Sequence, residues 1–145
     1  MKVQEQDQYH GIALTQIVEH KSFKALNRCS EHYGHYMVNT DREVFIKYRK
    51  TGNGSWQFVF QPQELKAIKA AMASKSDVFV CLVCARSTVC ALTEDEINTL
   101  IDVGSAASQS ITITVPPNSS CRARGSAGSL KGTIPHNSFP NKLFA

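Results

Sequence analysis

After Asp102 the chain has no acidic residue at all. The whole sequence carries 16 Lys and Arg against 12 Asp and Glu, a formal charge of +4. Arg122, Arg124, Lys131 and Lys142 lie beyond Asp102, so residues 1–102 balance to zero and the entire excess belongs to residues 103–145. Also missing is any apolar run approaching the roughly 18–20 residues needed to cross a bilayer, so no membrane association is expected. The opening residues, MKVQEQDQYHG, lack the apolar stretch of an export signal, and a cytoplasmic location is the expectation. Five cysteines make an odd number, which fits reduced thiols better than a disulfide framework. With 42% hydrophobic and 19% charged residues over 145 positions, the chain has the make-up of one folded domain, residues 1–145.

Periodicity supplies the elements. Leu14, Ile17 and Val18 share one helical face. A second helix is expected from Ser22 through FKALNRCSEHY, with Phe23, Leu26, Cys29 and Tyr33 as its stripe and Gly34 as a left-handed stop. YMVNT and REVFIKYRK read as strands, and WQFVF returns after TGNGS, which predicts an antiparallel hairpin. Pro62 opens an amphipathic helix bearing Leu65, Ile68 and Met72. VFVCLVCA is apolar without alternation, a strand covered on both faces. Thr93 and Glu96 form a capping box before a helix that Gly104 should stop, and SITITV alternates as a strand. The expected fold is therefore α+β, a single domain whose mixed, mainly antiparallel sheet is flanked by helices. Residues 116–145 form a Gly-, Ser- and Pro-rich basic C-terminal segment.

Metal and thiol chemistry find little footing in the spacing. Cys29, Glu31, His32 and His35 are ligand types, but with Gly34 redirecting the chain they read as a solvent-facing helix end, and no metal site is expected. Cys81 and Cys84 sit three apart within a strand and should point to opposite faces, unlike a redox pair at a helix start. No GxSxG or GxxxxGK[ST] pattern is present.

The order of a helix bearing Glu19, YMVNT, REVFIKYRK, WQFVF, a helix and a buried strand resembles the core of restriction-endonuclease-like PD-(D/E)XK domains over residues 11–92. That resemblance implies a nuclease-like protein using Mg²⁺, with Asp41, Glu43 and Lys47 as its catalytic residues. Phe45 stands where the family's acid-x-Lys pair has its acid.

The C-terminal segment supports a different expectation, and it is the leading one. In CRARGSAGSLKG, Arg122 and Arg124 fall on one side of an extended chain, while Gly125, Gly128 and Gly132 allow close backbone approach. Guanidinium groups with nearby backbone N–H groups suit phosphate oxygens. A nucleic-acid or other polyanion-binding protein without a cofactor follows, with Arg122, Arg124, Lys131 and His136 as contacts, Lys47 and Arg49 in support, and Phe139 available to stack on a base. DNA or RNA is then the partner. A third reading, a protein-interaction module such as an inhibitor or accessory subunit, would use the exposed hairpin face and the FPNKLF end.

Overall fold

The computed structural model describes residues 1–145. Its fold is α+β, with eight strands divided between two sheets rather than gathered into one. Helix α1 (Glu5–Val18) leads into β1 (Leu26–Arg28), β2 (His35–Val38) and β3 (Arg42–Arg49), an antiparallel meander. The chain leaves as β4 (Ser55–Phe60), continues as α2 (Pro62–Met72), and returns as β5 (Asp77–Cys84), parallel to β3. Strand β6 (Thr88–Leu92) turns back on β5 and completes a sheet ordered β1-β2-β3-β5-β6. Helix α3 (Glu94–Leu100) follows, then β7 (Gln109–Thr114) and β8 (Arg122–Gly125), which join β4 in an antiparallel sheet ordered β4-β7-β8. Two short 3-10 turns, His136–Ser138 and Asn141–Phe144, end the chain. No helix is long and apolar enough to cross a membrane.

The five-stranded sheet is buried on both faces, which explains the unbroken apolar run of β5. Cys81 and Val83 point to one side, against Ala13 and Ile17 of α1 and against Phe139 and Leu143. Val80, Leu82 and Cys84 point to the other, against α2, α3 and the inner face of the smaller sheet, with Trp56, Phe58 and Phe60. Cys81 and Cys84 therefore diverge, as a period of two requires.

Two expected elements are corrected. Residues 22–33 form no helix. Asn39, at φ 57°, accepts the amide protons of Lys24 and Ala25 on its side-chain oxygen and donates its amide to the Ser22 carbonyl. That clamp holds the chain extended into β1, and Asn, Ser, His and Cys offer little helix propensity to oppose it. The β3–β4 hairpin is absent as well. One edge of β3 is paired with β2 and the other with β5 over eight residues, so β4 has no free edge and pairs with β7. Its alternation is genuine, but alternation does not name a partner. Helix α1 also begins earlier than the apolar spacing suggests, because Gln4 and Asp7 form a capping box.

Candidate functional site

Gly34 admits the chain to β2 at φ +83°, where an added Cβ would meet the Ile46 carbonyl oxygen at 2.5 Å. The β2–β3 register then places His35 opposite Phe45 and diagonal to Glu43, on one face. The imidazole stacks on Phe45 with centroids 4.0 Å apart. Its Nε2 lies 2.9 Å from Glu43 Oε1, and its Nδ1 lies 2.9 Å from Ser30 Oγ. Ser30 Oγ also accepts the His32 amide proton at 3.2 Å. From the end of α2, Ser74 Oγ donates to Glu43 Oε2 at 3.0 Å, and the Cys29 thiol donates to Oε1 at 3.5 Å. His35 and Glu43 are only 7% and 8% exposed, so this is a buried polar network with each member partnered.

Burial sets its charge state. It pushes the His35 pKa down, and the hydrogen bond and charge of Glu43 only partly oppose it, so the ring is neutral near pH 7. The His35–Glu43 contact is thus a charge-assisted hydrogen bond rather than a full ion pair. Burial, then the Glu43 charge, pushes the Cys29 thiol up to about 11. A shallow recess lined by His32, His35, Glu43, Ala70 and Ser74 opens beside the network. A neighbouring cavity of about 190 Å³, between β3 and α2, shares His32 and Ala67 with that recess.

The residues expected to carry nuclease chemistry are spread out. Asp41 sits exposed in the β2–β3 turn and pairs with Arg42. Glu43 is consumed by the buried network. Lys47 holds Glu64 of α2 and lies 4.9 Å from the centre of the Phe60 ring. Residues 43, 45 and 47 share a face of β3, so Phe45 stands between the carboxylate and the lysine.

The residues expected to contact a polyanion divide into two groups. Arg122 and Arg124 are exposed on the edge strand β8, on either side of the buried Ala123, and face the same way. Neither takes part in an ion pair. The register sets Arg122 in a row with Thr114 and Ser55, and Arg124 in a row with Thr112 and Gln57. Lys131 is exposed just beyond this strand. Lys47 and Arg49 belong to the other sheet. His136 is bonded into the fold, its Nε2 2.9 Å from the Ser119 carbonyl oxygen and its Nδ1 2.9 Å from Thr88 Oγ1 and 3.8 Å from Cys121 Sγ.

The glycines and the chain end serve packing. A Cβ on Gly125 would meet the Leu100 carbonyl oxygen at 2.2 Å, and one on Gly128 the Thr99 carbonyl oxygen at 2.8 Å. Ala127 donates to the Leu100 carbonyl at 2.9 Å, so this loop closes the end of α3 instead of cradling an anion. Phe139 and Leu143 are buried, which removes Phe139 as a base-stacking platform and the FPNKLF end as a docking surface. No spacing in the sequence announces a second thiol group, Cys90 with Cys121. Cys121, buried beside Cys90, Thr88 and His136, is lowered to about 6, chiefly by the Cys90 thiol's hydrogen bond, with burial opposing.

Compared with protein-family models, curated proteins and solved structures, the chain matches none.

Proposed function

We propose that the protein binds the phosphate backbone of a nucleic acid across the outer face of the β4-β7-β8 sheet. One observation carries this reading: Arg122 and Arg124 stand side by side on an edge strand with no carboxylate to neutralise them. Same-face residues on a strand are about 7 Å apart, and each arginine heads a row of neutral hydroxyl or amide side chains. Guanidinium forks bind phosphate oxygens bidentately, and hydroxyl groups add weaker donors alongside. These rows, with Ser55, Gln57, Arg122 and Arg124 exposed and Thr112 and Thr114 half-buried, include no aromatic ring. Recognition there rests on the backbone, and sequence preference should be small.

The test is a fluorescence-anisotropy titration of a labelled single-stranded and a labelled duplex oligonucleotide at low salt. The wild-type protein is expected to bind both, and the Arg122→Ala/Arg124→Ala double variant neither. Absence of binding by the wild type, or equal binding by the double variant, would remove the proposal. The nuclease and protein-docking readings gain no comparable support, because their residues lie apart or buried.

A further inference from the structure

We propose that Cys29, His35 and Glu43 form a binding site for a divalent ion of the zinc class. Cys29 Sγ, His35 Nε2 and a Glu43 carboxylate oxygen all lie within 4.8 Å of one another, with the sulfur 3.5 Å and the imidazole nitrogen 2.9 Å from Oε1. An ion bonded to sulfur, nitrogen and oxygen at about 2.0–2.3 Å holds tetrahedral ligands about 3.5 Å apart. The sulfur–oxygen pair already has that spacing, the nitrogen–oxygen pair needs to open by about half an ångström, and the sulfur and nitrogen lie within 4.8 Å of each other.

The surroundings match such a site more closely than a hydrogen-bonded core contact requires. A metal-bound histidine turns its second nitrogen to a fixed acceptor, and a metal-bound carboxylate has its free oxygen hydrogen-bonded. Here Ser30 Oγ stands 2.9 Å from His35 Nδ1, and Ser74 Oγ donates to Glu43 Oε2 at 3.0 Å. The Phe45 ring fixes the imidazole plane from below. The ligands come from three chain segments, the end of β1, β2 and β3, so the fold itself brings them together. Thiolate and imidazole select a borderline-soft ion over Mg²⁺ or Ca²⁺. The thiolate and carboxylate together neutralise a doubly charged ion, and the Cys29 proton leaves to solvent on binding. Three protein ligands leave a fourth position toward the recess beside His32 and Ala70, the arrangement of sites that bind an exchangeable water.

The experiment is a cobalt(II) titration of the reduced, chelator-treated protein, followed by absorption. One equivalent is expected to produce a near-ultraviolet thiolate-to-cobalt band and tetrahedral visible bands, both displaced by zinc. Cys29→Ser, a near-isosteric change at a half-buried position after β1, should abolish the charge-transfer band while the far-ultraviolet circular dichroism stays native. Ser74→Ala should keep the band but weaken the affinity about 10- to 100-fold. Cys121→Ser should leave the band unchanged. No cobalt spectrum in the wild-type protein would overturn the site, as would a band that persists in Cys29→Ser and vanishes in Cys121→Ser.

Discussion

At the scale of single residues, position 34 separates conformation from context. The glycine does adopt the left-handed backbone expected of it, yet it opens a strand rather than closing a helix. Gly34→Ala should destabilise by more than about 1 kcal/mol, since the side chain meets both the unfavourable φ and the Ile46 carbonyl. His35 and Glu43 are eight apart, and only the hairpin turning at Asn39 makes them neighbours. Both strands are legible in YMVNT and REVFIKYRK, but nothing in the sequence sets the register that brings His35 to Glu43. His35→Ala strips a buried carboxylate of its strongest partner. A loss of about 2 kcal/mol in denaturant unfolding is expected, the range for hydrogen bonds to charged groups.

At the scale of elements, α2, β5, α3 and β7 were legible because each carries its own signature: a proline start, an unbroken apolar run, a capping box and a period of two. Strand β1 was not, because it depends on the distant Asn39 clamp, and β4 was legible as a strand but not in its pairing, which depends on which sheet edge lies free. The capping box of α3 has a second task. Burial raises the Glu96 pKa, but the Lys142 hydrogen bond and charge, with the Thr93 bonds, outweigh it and leave the carboxyl below its ordinary range. A lowered folded-state value means that the contribution is present above the unfolded pKa and lost as pH falls through the folded one. Stability should therefore hold near pH 5 and decline below about pH 4, with a shallower decline in Glu96→Gln, read from urea midpoints across that range. Thr93→Ala should cost about 1 kcal/mol by the same measurement at neutral pH.

At the scale of the whole molecule, the acid-free stretch beyond Asp102 is two things at once. Part of it completes the fold: Ile134, Phe139 and Leu143 are buried, Lys142 binds Glu96 at 2.7 Å, and Arg42 donates to the Leu143 carbonyl. Composition does not reveal this packing, because scattered Gly, Ser and Pro conceal the buried Cys121, Ala123, Ile134, Phe139 and Leu143. Phe139→Ala should cost about 3 kcal/mol or more in unfolding free energy, as expected of a large side chain lost from the core. The remainder, Arg122 and Arg124 on the edge of the smaller sheet, keeps its charge unanswered. The distinction between structural and available cations can be measured as a salt dependence. With two phosphates neutralised, log affinity against log salt between about 50 and 200 mM should fall with a slope of about −1.4 on a single strand and about −1.8 on a duplex. Replacing either arginine should reduce that slope by about half, while Lys142→Ala, which removes a paired cation, should leave it unchanged. A slope near zero, or one indifferent to Arg122 and Arg124, would contradict the assignment of binding to this face.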